Sequence, residues 1–177
     1  MMAASRQQER AMVRVTARYP APMRALHWLS AALVVVAYIT AEGMEDGGDW
    51  HVASGLLLPA LFLPRLLGHL LRCVPPAAPS SRPQAASAAL VHVALLLFVV
   101  VQPLLGMAAI WAEGHAVPVP FTAWALPAPF PVTGWGEAAE DAHEVVGNVF
   151  YAVIGLHVLA ALWHRWVRRD DVLQRML

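Results

Sequence analysis

The sequence predicts an all-α integral membrane protein, a bundle of four transmembrane helices with both termini in the cytoplasm. Three observations predict it. Apolar residues make up 59% of the 177-residue chain and charged residues only 14%, against roughly 45–50% and 25% in an ordinary soluble domain. The apolar residues gather into four stretches, each long enough to cross a hydrocarbon layer ~30 Å thick. The charges between those stretches segregate by sign. So short a chain cannot hide that much apolar surface in a soluble core. Its formal net charge of zero leaves no basic field for nucleic acid.

Residues 1–22 carry Arg6, Arg10, Arg14 and Arg18 and read as a polar cytoplasmic arm. They are not a secretory signal, because the next apolar stretch is too long for an h-region and no small-residue cleavage site follows it. The four-helix transmembrane domain spans 23–168. Helix one is expected at about 23–43, opened by Pro22, a residue suited to a first helical turn. Residues 44–50 read as a short acidic turn. Helix two is expected at about 51–72, kinked by Pro59 and Pro64, as membrane helices tolerate. A proline- and serine-rich loop covers 73–86, and helix three follows at about 87–111, broken late by Pro103. Residues 112–137 hold five prolines with Phe121, Trp124, Phe130 and Trp135, the mix of a loop at the membrane interface, where aromatic rings settle. Helix four is expected at about 138–167, and 169–177 form a cytoplasmic tail.

Charge fixes the orientation. All twelve basic residues are Arg, and none lies in 42–50 or 112–141. Glu42, Glu45, Asp46, Asp49, Glu113, Glu137, Glu140, Asp141 and Glu144 cluster at the opposite end of the helices. The excess of Arg on one side places both termini in the cytoplasm.

Eight histidines are unusual in so apolar a chain, and an ionisable group inside a membrane is costly enough to suggest a function. The topology puts His27 near the cytoplasmic face and His51 near the outer face. On helix four, His143 lies outside and His157 deeper toward the cytoplasm. Their fourteen-residue spacing is about 1400° of rotation, within about 40° of four full turns, so both rings leave the same face roughly 21 Å apart. Two cross-bundle pairs result, His51 with His143 and His27 with His157. Facing imidazoles in a bundle interior are the ligand set of a haem iron held on both sides. Gly55 and Gly147 each follow a candidate ligand by four residues; they make room for a flat macrocycle or simply allow close helix packing.

Two other roles for membrane histidines fit this pattern less well. A single membrane histidine is more often a packing or proton-path residue, but four at two matched depths are harder to explain that way. Zinc wants ligands converging at one level. Cys73 stands alone, which rules out a disulfide framework, a thiolate metal site and the C-x-x-C-H of covalent haem. His92 is a lesser candidate, as a replacement for His27 or His157 or as a partner of a haem propionate. His69 and His164 sit at the cytoplasmic rim, and His115 reads as solvated. Arg65 is most simply a snorkelling side chain, with propionate pairing the lesser reading.

At these residues the chain resembles the bacterial cytochrome b-561 family of di-haem, four-helix membrane cytochromes. R-x-L-H-W-L at 24–29 and H-V-A-S-G at 51–55 are similar to the starts of its first two helices. His92 with Pro103 and Gly106 resembles its third helix. H-E-V-V-G-N-V-F-Y-A-V-I-G-L-H at 143–157 resembles its fourth-helix double ligand and is the most specific part. The tail D-D-V-L-Q-R-M at 170–176 fits as well, so the likeness covers about 18–177. It implies two haem b groups on His27, His51, His143 and His157, and exchange of electrons with ubiquinone on the cytoplasmic side, where His164 takes the place of a histidine near the quinone. Some members oxidise superoxide at the outer face; the fold also serves as the haem subunit of larger dehydrogenases and hydrogenases. The expectation is therefore a multi-pass protein of the bacterial inner membrane that passes electrons from superoxide to ubiquinone. The alternative is an electron-transfer subunit serving a basic periplasmic protein or a larger dehydrogenase, and the acidic outer loops favour that donor over an anion.

Overall fold

The structure is a computed structural model that describes residues 18–41, 44–71, 75, 80–129 and 134–177. The arm before Arg18, residues 42–43, residues 72–74 and 76–79 with Cys73, and residues 130–133 with Phe130 lie outside the described residues. Four long helices make up the fold: α1 (Ala21–Ala41), α2 (Met44–Leu70), α3 (Arg82–Ala112) and α4 (Gly136–Trp163). A five-residue π-helical turn, His164–Arg168, continues α4. All four are long and apolar enough to cross a membrane. Their outward faces are leucine, isoleucine and valine, with Ile39 71%, Leu90 71% and Leu159 65% exposed. Such faces belong against lipid.

Three boundaries differ from the expectation. Residues 44–50 are not a turn, since α2 begins at Met44. Helix α3 begins five residues early, with Pro83 in its first turn, where a missing N–H costs nothing. It also runs unbroken through the buried Pro103 to Ala112.

The helices pack as two hairpins, α1 against α2 and α3 against α4, joined more sparsely where α2 meets α3. Across the remaining side, Tyr38 of α1 donates its hydroxyl to the Gly147 carbonyl of α4 at 2.8 Å. Its ring also stands 3.9 Å from that of Tyr151. The start of the described chain and its C-terminal tail lie at one end of the bundle. The Tyr19 amide donates to the Arg175 carbonyl at 3.0 Å, and Trp28 Nε1 donates to the Met176 carbonyl at 2.9 Å. Arg24 also donates to the Leu177 carbonyl. The tail is thus packed onto the start of α1.

At the opposite end, the expected loop contains a small antiparallel hairpin pairing Val117–Pro118 (β1) with Ala125–Leu126 (β2). Trp111 Nε1 ties it to α3 through the Leu126 carbonyl at 3.0 Å. Phe121, at the hairpin tip with φ 65°, meets the Trp50 ring at 4.8 Å. The hairpin therefore reaches the start of α2, one residue from His51. Trp124 remains 79% exposed.

Candidate functional site: two histidine levels between the hairpins

At the β-hairpin end, His51 of α2 faces His143 of α4 with ring centroids 6.0 Å apart and planes at 75°. His51 Nδ1–H donates to the Ala37 carbonyl of α1 at 2.8 Å. His143 Nδ1–H donates to the Gln102 carbonyl of α3 at 3.1 Å. A carbonyl only accepts, so each Nδ1 carries the hydrogen and each Nε2 keeps a lone pair. The Gln102 side chain returns the contact, donating from Nε2 to the His143 carbonyl at 2.7 Å. Gly106 explains how the ring gets there. A Cβ on Gly106 would stand 3.1 Å from His143 Cε1, in the path to the carbonyl one turn earlier on α3.

Toward the chain termini, His157 of α4 faces His27 of α1 with centroids 6.4 Å apart, and His92 of α3 at 5.5 Å. His27 belongs to one hairpin and His157 to the other, so that pair spans the seam as His51 and His143 do. His92 and His157 share a hairpin, so that pair does not span the seam. Arg65 lies within electrostatic reach of His27, His92 and His157. Its Nε is buried without an acceptor among the described residues. A donor held that way fits a carboxylate better than the expected snorkelling does.

Midway between the levels is Phe150, seven residues from each α4 histidine and therefore on the same face. It is 4% exposed and stacked on Phe98 of α3, centroids 3.1 Å apart and planes at 4°. The sequence reading passed over Phe150, although its spacing was there to be seen. Gln102 and Tyr38 carried no such signal, because their partners lie on other helices.

The remaining histidines are dispersed. His115 is exposed in the outer connection beside Glu113, at 3.8 Å. His69 is exposed at the end of α2. His164 is part-buried in the π-helical turn, its Nδ1 2.6 Å from Asp170 Oδ2.

Haem b fits this arrangement. An iron bound by two imidazoles at metal–nitrogen distances of about 2 Å would hold their ring centroids roughly 6 Å apart. The pairs that span the seam stand at 6.0 and 6.4 Å. Gly55, one turn from His51, opens onto free space: no atom lies within 4 Å of where its Cβ would be. Gly147 does not make room in the same way. A Cβ there would stand 3.2 Å from Gln102 Nε2, and its carbonyl receives Tyr38, so this glycine serves close helix packing.

The comparisons with known proteins give the family. The family model described as prokaryotic cytochrome b561 matches residues 18–177. "Probable superoxide oxidase CybB" of Yersinia pestis is 29% identical over 164 residues, 86% of this chain and 91% of that one. "Cytochrome b561 homolog 1" of Escherichia coli is 26% identical over 171 residues, covering 86% and 92%. "Cytochrome b562" of Cereibacter sphaeroides is 28% identical over 166 residues, covering 86% and 90%. With its family model matched from Arg18 to Leu177 and histidines paired across the seam of its helices, the chain belongs to the prokaryotic cytochrome b561 family, multi-pass bacterial membrane cytochromes that bind haem b and carry electrons.

Proposed function

We propose that this protein carries electrons across the bacterial inner membrane, from superoxide at the periplasmic face to ubiquinone at the cytoplasmic face. The observation that carries the reading is the pair of histidine levels, each formed by one residue from either hairpin. His51 with His143 and His27 with His157 would each hold one haem b. Bound there, haem b would supply one-electron transfer. The chain does the rest. The Ala37 and Gln102 carbonyls hold the His51 and His143 rings in the ligating tautomer, and Arg65 would balance a propionate. Phe98 and Phe150 stack on each other between the levels. Tyr19 and the C-terminal tail lie at one end of the bundle together with Arg24, Arg168 and Arg175, so the excess of Arg supports a cytoplasmic position for that end.

A second reading of the donor rests on the periplasmic rim. Asp49, Glu113, Glu137, Glu140, Asp141 and Glu144 are exposed there with no arginine among them. Such a rim slows an anion such as superoxide and attracts a basic electron-transfer protein. The relative named a superoxide oxidase supports the first reading. Stopped-flow mixing of the haem-loaded protein with superoxide across a range of ionic strength separates them. Fast haem reduction insensitive to salt supports superoxide as donor. Slow reduction that accelerates as salt screens the acids assigns the donor to a basic protein.

A further inference from the structure

Helix α4 does not end as an α-helix. His164–Arg168 wind as a π-helical turn, and Arg169 adopts left-handed backbone at φ 54°. The Arg169 amide donates to the His164 carbonyl, as does the Asp170 amide at 3.1 Å. In an unbroken α-helix a residue six positions on would stand about 240° around the axis from His164. The wider turn and the left-handed cap bring Asp170 back onto it. The result is a closed ring of four side chains. His164 Nδ1 stands 2.6 Å from Asp170 Oδ2, and Nε2 stands 3.2 Å from Gln84 Nε2 on α3. Arg168 Nη1 donates to Gln84 Oε1 at 3.2 Å, and Arg168 Nε lies 3.5 Å from the same Asp170 oxygen. Irregular π segments of this kind appear frequently at functional sites.

The ring dictates where the protons are. A carboxylate only accepts, so His164 Nδ1 carries hydrogen. An amide NH₂ only donates, so His164 Nε2 presents its lone pair to Gln84. Arg168 donating to Oε1 keeps the Gln84 amide turned that way. His164 Nε2 is thus a proton acceptor capped by a side chain from another helix, with its side chain still 18% exposed. The other charged residues nearby in sequence are Arg82 on α3, Arg165 and Arg169 on the turn, and Asp171 on the tail.

We propose that Asp170, Gln84 and Arg168 are positioning residues that make His164 a proton relay for the quinone, an inference that rests on the quinone reading above. Reducing a quinone to a quinol takes two electrons and two protons. The electrons come from two superoxide anions, each of which becomes O₂. One proton passes from Nε2 of protonated His164 to a quinone oxygen, and the second comes from water at the rim. A protonated Nε2 cannot face the Gln84 NH₂, because two donors would meet. Charging His164 therefore turns the Gln84 amide or displaces it, and opens the position where a quinone oxygen accepts. Once the proton has gone, Gln84 caps the lone pair again. Asp170 holds Nδ1–H throughout and keeps the exchange at Nε2.

The test uses haem-loaded protein, reduced chemically and mixed with a short-chain ubiquinone, so that it does not depend on the physiological donor. Haem reoxidation is followed against pH for the parent protein, Asp170→Asn, Asp170→Glu, Gln84→Leu and His164→Ala. ¹⁵N-histidine spectra of the reduced protein, with His164→Ala assigning the signal, report which ring nitrogen carries hydrogen. The relay expects Nδ1–H in the parent and a mixed tautomer in Asp170→Asn. It expects reoxidation about tenfold slower in Asp170→Asn, less than the roughly 10²–10⁴-fold contribution of a positioned proton donor itself, and recovery in Asp170→Glu. The pH profile changes in both Asp170→Asn and Gln84→Leu, while the haem bands stay as in the parent. Gln84→Leu lies on another helix and serves if the turn does not fold without Asp170. Parent rates and pH profile in Asp170→Asn or Gln84→Leu, beside a slow His164→Ala, overturn the relay and leave the quinone site standing. Parent rates in His164→Ala as well overturn the quinone reading at this end together with the relay.

Discussion

His51 and His143 face each other across the seam between two helical hairpins, and each ring is held from behind by a third or fourth helix. The Ala37 carbonyl of α1 takes the Nδ1–H of His51 at 2.8 Å, and the Gln102 carbonyl of α3 takes that of His143 at 3.1 Å. All four helices therefore contribute to one site, and both Nε2 lone pairs are left for a metal between them. That is preorganisation: neither ring has to change tautomer or lose a buried hydrogen bond to bind iron.

Two non-covalent haems per chain are the first consequence. Acid-acetone extraction of the purified red protein should remove all of its colour, and a pyridine haemochrome assay against protein concentration should give two haems, both low-spin. One haem per chain, or colour that stays with the polypeptide, contradicts the two-level reading.

Loss of ligands should be specific to one level. His143→Ala should remove or convert only the periplasmic haem, and His157→Ala only the cytoplasmic one, because roughly 21 Å of helix separates them. His92→Ala should retain both, since His92 shares a hairpin with His157. Separate redox titration of the two bands in each variant checks this. Loss of a haem in His92→Ala but not in His27→Ala would reverse the cytoplasmic pairing.

Gly106 should be the most sensitive glycine. Its Cβ would stand 3.1 Å from His143 Cε1, and Gly106→Val adds two methyl groups beyond that. The ring should be driven off the Gln102 carbonyl, and haem content should fall from two toward one while the cytoplasmic band persists. Gly106→Ala should have a smaller effect of the same kind. Full haem content in Gly106→Val would show that the His143 ring has another stable position.

Tyr38→Phe should leave both haem spectra intact and weaken the closure between α1 and α4. The lost bond to the Gly147 carbonyl is worth about 1 kcal/mol, because that carbonyl keeps its helical partner. Thermal unfolding followed by loss of haem absorbance should show a Tm a few degrees lower. An unchanged Tm would mean that the ring contact with Tyr151 carries the closure.

The sequence by itself determined the four spans, the segregation of charge between their ends and the shared helical phase of His143 and His157. Each of these is local. Hydropathy is a sum over some twenty neighbours, sign segregation is read from the loops, and the His143–His157 phase follows from 3.6 residues per turn. Its errors were local too, at the ends of α2 and α3, where acidic residues and a proline begin helices as readily as they occupy loops.

Only the tertiary structure decided which groups serve those histidines. Ala37 reaches His51 from α1, and Gln102 reaches His143 from 41 positions away. Gly106 is spared a side chain because of a ring on another helix, and Gly147 proved to be a packing contact. His27 and His92 both face His157, and only the packing shows that His92 shares its hairpin while His27 lies across the seam. Asp170 meets His164 only because α4 loosens into a π-helical turn and reverses at Arg169. Such relations depend on how helices lie against one another and on one irregular turn. Neither leaves a period in the sequence, so packing alone assigns them.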